Sequence, residues 1–395
     1  MEKTKGFKTV ETNLEEINEK VRKHRKKVFL RIGFVVLALA ILGIAIELWM
    51  EIRSYSSYEI RNSLERSSSQ AAKYQGFQGN ILEYSNDGIS YMDSRGERIW
   101  NQSYEMTNPT TVVCEKYVSV FDKGGTHLYV MSDAKILKEI ETSKPIETVS
   151  IADQGTVAVL MKEDTNSYVK LFDKSGKELA SGEFYSEQGS YPIDIALSYD
   201  AKKLAVALVD ISSGKTKSTI SFYNFGSVGQ NEIDNNVGTF TYDDVLIPRV
   251  AYVSEERLVA FGDKEIFIFE GKEKPQLKKE ISIPENVQSV FYNESYLGMT
   301  TESEEEQQAY HIIAYNMKGT VVMENDTSIH YEEIEFLGNN DICVRNEKNC
   351  EIFTVHGIKK FSGEFDASID AMISLDRHQN YVFVFDDTIE EVRLK

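Results

Sequence analysis

Cysteine is scarce in this chain: Cys114, Cys343 and Cys350 are the three in 395 residues. That is too few for a disulfide-stapled scaffold. Cys343 and Cys350, in "ICVRNEKNC", could lie opposite each other in a hairpin, although cysteines facing across neighbouring strands often have the wrong geometry for a bridge. Cys114 reads as a small buried apolar residue. Histidine is equally sparse, and His24, His127, His311, His330, His356 and His378 stand singly, without H-x-x-x-H, H-E-x-x-H or Cys/His metal spacing. No G-x-S-x-G elbow, P-loop or G-x-G-x-x-G occurs. "DKGGT" at 122–126 joins two strands rather than opening a helix, so it does not cradle a phosphate. The sequence therefore assigns no catalytic, cofactor-binding or metal-binding residue. Helical periodicity is missing after residue 50, and so is an excess of basic charge. The net charge is −19, and residues 1–50 hold ten basic and six acidic residues, or +4, so the remainder carries −19 − 4 = −23. A domain that acidic repels nucleic acid and polyphosphate.

One long apolar run is present, and it comes early. From Val28 to Met50 only Arg31 and Glu47 are charged, and "IGFVVLALAILGIAI" at 32–46 has no polar side chain. Such a run spans a ~30 Å hydrocarbon core as a helix, with Arg31 and Trp49 suited to the two interfaces. Nine Lys and Arg precede residue 28, against three in the twenty residues after Met50. The positive-inside rule then predicts a cytoplasmic basic tail (1–27), a signal-anchor helix in membrane lipid (28–50), a juxtamembrane linker (51–57) and an extracellular domain (58–395) on a single-pass protein of the cytoplasmic membrane. A cleaved signal peptide is the rival reading; the small-x-small triplet at 38–40 lies mid-run, and "ELWM" makes a poor cleavage site. Thr12 and Glu15 form a capping box, with Leu14, Ile17 and Val21 on one face of a helix that either docks a partner or continues into the anchor.

The rest of the chain is periodic. Five of its six prolines introduce similar apolar segments, at Pro109, Pro145, Pro192, Pro248 and Pro284, and "YEEIEFLG" and "SIDAMISL" continue the series. Proline at a first strand position gives up no ladder bond. After Pro145 come "PIETVSIA", "TVAVLMK", "YVKLFD" and "ELASGEF", separated by short polar turns. Four short strands in roughly 40–50 residues, repeated, mark β-propeller blades. "YMDSRGERIW", "LFDKSGKELA", "AYNMKGTVVM" and "IFTVHGIKKF" all hold glycine at the sixth place (Gly96, Gly176, Gly319, Gly357), while only two keep Asp at the third. That pattern reads as a hairpin turn needing positive φ rather than a cation loop.

First strands are expected to begin near residues 72, 109, 145, 190, 247, 286, 331 and 368. Residues 369–395 supply only three strands for the last blade, and "YEIRNSLERS" from Tyr58 can supply the fourth. The expected fold is all-β: an eight-bladed propeller closed by its N-terminal strand, with seven blades the alternative.

"LSYDAKKLAVALV" at 197–209 resembles the hairpin "SPDGKKLAV" of bacterial propellers, with Tyr199 and Ala201 in place of its proline and glycine. "YMDSRGERIWNQSYEM", "FDKGGTHLYV", "SFYNFGSVGQNEID", "VLIPRV" and "KFSGEFDASI", behind the basic tail and anchor, resemble the membrane-anchored clostridial proteins known as domain of unknown function 5711. The resemblance covers nearly the whole chain. It implies a Gram-positive, single-pass protein with an extracellular propeller, and brings no activity or site residues.

Acidic pairs such as Asp243-Asp244 and Asp386-Asp387, and the run "ESEEEQQ" at 302–308, read as solvated hairpin tips. The segment 224–244 is longer than an ordinary blade connection, and long loops on rigid scaffolds often bind. Phe225, Gln230, Asn231, Phe240 and Tyr242 are its candidate contact residues; a loop merely packed over the propeller is the alternative. Two functions remain open. One is a binding, scaffolding or sensing module for a protein or envelope-glycan partner. The other is a wall-polymer hydrolase or lyase with carboxylates converging in the channel.

Overall fold

An uninterrupted run of apolar side chains favours the structure that satisfies every backbone group internally, and a single helix, Leu14–Glu51, carries it. The computed structural model describes residues 14–66, 72–185, 189–212, 214–376 and 378–395, and divides the chain into Met1–Arg53 and Ser54–Lys395. The helix is long and apolar enough to cross a membrane, its qualifying stretch being Asn18–Ile44 with a mean hydropathy of 2.3. It continues unbroken from its polar beginning through the apolar run; the expected cap Thr12 lies outside the described residues.

The second unit contains eight four-stranded antiparallel sheets. Seven are simple meanders, blades 1 to 7, spanning 73–103, 109–141, 146–184, 190–243, 249–282, 287–327 and 333–364. In blade 8, strands Ile369–Ser374, Asn380–Phe385 and Thr388–Leu394 are completed by Tyr58–Glu65, which pairs with Thr388–Leu394. First strands begin at Lys73, Pro109, Ile146, Ser190, Arg249, Val287, Glu333 and Ile369, each within two residues of its expected position. Pro192 is the one proline well inside a strand, and the pairing shifts register beside it, where a missing amide is tolerated. Of the expected linker, Tyr55 is already docked: it is 6% exposed, and its amide donates to Lys360 O at 2.8 Å.

The core is divided rather than central. Buried apolar residues form eight clusters, one at each junction between neighbouring blades. The second strand of blade 2, Tyr117–Asp122, shows how. Val118 and Val120 pack toward blade 1 while Tyr117 and Phe121 pack toward blade 3, as strand alternation requires. Middle strands buried on both faces therefore read as continuous apolar runs, such as "KLAVALVD", in which seven of eight residues are buried. Outer strands face water, and none of the seven residues of Glu178–Phe184 is fully buried.

The four glycine turns share one geometry. Gly96, Gly176, Gly319 and Gly357 have φ between +72° and +84°. The third residue varies as Asp93, Asp173, Asn316 or Thr354, yet each keeps an oxygen that accepts a backbone N–H from the residue four positions on. Asp173 also accepts from the Ser175 hydroxyl, which, with the turn amides, lowers its pKa. The variation preserves an acceptor rather than discarding one.

Cys343 and Cys350 are free and buried. The register sets Cys343 against Ile352 and Cys350 against Arg345, so they sit diagonally. Each Sγ lies near Met372 Sδ, at 3.5 and 3.2 Å.

Arg66 follows the closing strand and ties blade 8 to blade 1. Its side chain, 2% exposed, pairs with Asp370, donates to Phe385 O at 2.9 Å and lies 4.8 Å from the Tyr74 ring centroid. Arg66→Met should destabilise the protein by about 2 kcal/mol, and Asp370→Asn by at least as much, because it leaves a buried guanidinium without its counter-charge. Urea unfolding of the full chain in detergent measures both; wild-type midpoints for the two variants would remove this contact from the closure.

Candidate functional site

The first strands surround a channel that opens as a cavity on each face. One, of about 610 Å³, lies among the turns after the first strands of blades 1, 2, 6 and 7, including Gln78, Glu115, Glu294 and Asn340. The other, of about 650 Å³, lies among the beginnings of first strands in blades 1, 7 and 8, with Tyr84, Arg345 and Glu347 at its side. Both are walled by Gln75, Gly76, Glu335, Met372 and Ile373, so they meet there. Gly76 has no spare room, since a Cβ would meet Ile373 Cγ2 at 3.0 Å.

Residues of blades 3, 4 and 5 line neither cavity. Tyr199 leaves the first turn of blade 4 and reaches Glu294 in blade 6, donating its hydroxyl to Oε1 at 2.8 Å. Its carbonyl accepts the Asp153 amide of blade 3 at 2.9 Å. Burial raises the Tyr199 hydroxyl pKa, so it remains a donor. Ala201 supports the turn at φ +54°, a conformation that glycine adopts more cheaply. Both departures from the bacterial hairpin thus fall in the turn that spans to blade 6.

Ion pairs occupy part of the second cavity. Glu333 pairs with Arg345, which also donates to Ile369 O at 3.0 Å, and Asp370 pairs with Arg66. Glu332, Glu335 and Glu347 have no ion-pair partner among the described residues. Glu335 is the most perturbed: burial pushes its carboxyl up to about 7, with Glu333 adding and Arg345 opposing. Asp194, on the first strand of blade 4, is pushed up to about 6 by burial even though Val250 N donates to it at 2.8 Å. Among the described residues no group of three or more His, Cys, Asp or Glu side chains could hold a metal ion.

The segment 224–244 is mostly strand. Asn236–Asp243 is the outer strand of blade 4, leaving a connection at 225–235 with two short 3₁₀ turns, Gly229–Asn231 and Ile233–Asn235. Phe240 packs on Phe222 and Phe269, with centroids at 5.9 and 4.9 Å, and Tyr242 lies 4.2 Å from Phe267. Phe225 packs against the junction of blades 3 and 4. Gln230 and Asn231 are exposed, and Asn231 donates to Ser227 O at 2.8 Å. The five do not converge: three aromatics support the blade and two amides face solvent. Sequence reasoning passed over Ile233, which is 86% exposed and followed by Asp234 and Asn235 at φ +53° and +59°. The signal was an isoleucine alone in the polar run "NEIDNN".

These features define an eight-bladed β-propeller with an off-centre, carboxylate-lined channel. The chain belongs to the family described as Family of unknown function (DUF5711), which matches residues 51–394. Among solved structures it is similar to BamB from Moraxella catarrhalis, at 11% identity and a TM-score of 0.50 over 86% of this chain and 100% of that one. Dipeptidyl peptidase 4 of Porphyromonas gingivalis is similar at 12% identity and a TM-score of 0.55, over 82% of this chain and 58% of that one. At such identities the likeness shows the fold alone. No curated protein matches the sequence significantly.

For Glu335 the raised pKa has a definite sign. Its usual value is about 4.3, so folding disfavours the charged form, and the stability held with the neutral carboxyl is lost as pH rises through about 7. Glu335→Gln should therefore match wild type near pH 4 and exceed it by about 3 kcal/mol at pH 8. Thermal unfolding at the two pH values reads the difference, and a variant advantage that does not grow with pH contradicts the assignment.

Proposed function

We propose that this chain is a membrane-anchored extracytoplasmic propeller that binds a protein partner or another cell-envelope component as a scaffolding or sensing module. The observation that carries the reading is Ile233, 86% exposed at the rim of a ring whose blades are otherwise closed against one another. A large apolar side chain held out by a short, conformationally constrained turn on a rigid scaffold suits contact with a partner surface. In this reading residues 28–50 lie in lipid, residues 1–27 face the cytoplasm, and the contact centres on Ile233, Gln230 and Asn231. The basic excess before residue 28 supports that orientation.

The rival, a hydrolase or lyase acting on a wall polymer, draws on Glu335 titrating near neutrality inside a cavity. Acid–base cleavage needs a second carboxylate poised beside the first; of the others lining that cavity, Glu333 and Asp370 are engaged by Arg345 and Arg66, and Glu332 and Glu347 are exposed to solvent.

Crosslinking in the native cell, followed by recovery of the protein, should capture a partner with the wild type and lose it with Ile233→Asp, whose fold is checked by its melting temperature. Capture that survives the substitution removes this rim as the contact. Protease added to intact protoplasts should digest residues 58–395 and spare the tail; the reverse pattern overturns the orientation.

A further inference from the structure

The second cavity keeps negative charge where the fold has not neutralised it. Glu332, Glu335 and Glu347 line it beside the two carboxylates already held by arginines. Surface carboxylates at its mouth are ordinary, but Glu335 is not at the mouth. It stands where the two cavities meet, half-buried, with no hydrogen bond or ion pair to its carboxylate among the described residues. A carboxylate in such a place costs stability whenever it is charged, and a cation from outside relieves that cost.

The kind of cation follows from the geometry. A divalent metal requires several oxygens converging on one point, and no such group exists among the described residues. An alkylammonium or guanidinium group requires less: one carboxylate at depth, further negative charge along its path, and polar or aromatic walls for its stem. Glu335 supplies the first, Glu332 and Glu347 the second, and Gln75 and Tyr84 belong to the walls. A volume of about 650 Å³ takes a long basic side chain with the backbone that bears it.

We infer that the channel mouth formed by blades 1, 7 and 8 binds a lysine- or arginine-bearing polypeptide segment, with the basic side chain directed to Glu335. The inference rests on reading the protein as a binding module and names the chemistry of its partner. The charge of −23 beyond residue 50, from −19 − 4, draws a basic partner toward the domain; Glu335 is what makes the site specific.

Isothermal titration of the full chain in zwitterionic nanodiscs, at low and high salt, tests it with pentalysine as the probe. Wild type should bind pentalysine, and Glu335→Gln should weaken binding by at least about tenfold while remaining folded. A variant carrying Glu304→Gln, Glu305→Gln and Glu306→Gln loses three charges that do not line the cavity and should change the affinity less than about twofold. Equal losses in both variants would assign the binding to the general field and overturn the site, as would an unaffected Glu335→Gln or no binding at all. Spermidine binding as tightly as pentalysine overturns the polypeptide. Failure here leaves the rim contact standing if crosslinking through Ile233 still captures a partner, and loss of that capture with pentalysine binding intact removes the rim alone.

Discussion

Every blade in this molecule depends on the ring being closed. Apolar side chains are buried between blades and not within them, so a blade without a neighbour exposes one of its faces. Seven junctions form between segments consecutive in sequence. The eighth joins blade 8 to blade 1, where Ile81 and Met92 meet Ile373, Val382 and Val384. It is secured by pairing Tyr58–Glu65 with Thr388–Leu394 and by Arg66 just beyond. Cooperativity follows: weakening one junction strains the only route by which the others close.

The same architecture explains where chemistry can be placed. Middle strands are committed to packing on both sides and outer strands to the rim. The channel and the turns are left for function, and there the chain tolerates arrangements it avoids elsewhere: an unneutralised Glu335, Ala201 and the pair Asp234 and Asn235 at positive φ, and a tyrosine spanning between non-neighbouring blades.

Much of the fold was legible because each blade obeys local rules. Continuous apolar runs marked middle strands, glycines at a fixed place marked hairpins, and the missing strand of the last blade pointed to Tyr58. The candidate site was less legible. Glu335, Gln75 and Met372 come together only because the ring brings distant first strands to one axis, and spacing along the chain does not say which residues then face each other. The segment 236–243 belongs to a stretch longer than an ordinary blade connection, yet its alternation from Gly238 onward, with Phe240 and Tyr242 turned to neighbours and Val237 out of phase at a register shift, is that of a half-buried outer strand. Tyr199 stood out as a departure from a common hairpin; what it reaches lies 95 positions away.

The closing strand also sets an order in time. Just outside it and its partner strand, the residues that flank them, Ser57 and Lys395, are hydrogen-bonded although they stand 338 positions apart. At about 5–20 residues per second of synthesis, Tyr58–Glu65 emerges tens of seconds before the strand it must join. Seven blades can assemble one after another as they appear, but the first strand produced is the last to find its place. During that interval the newborn protein is an open arc with two unsatisfied edges, and its vulnerability to aggregation and proteolysis is concentrated there.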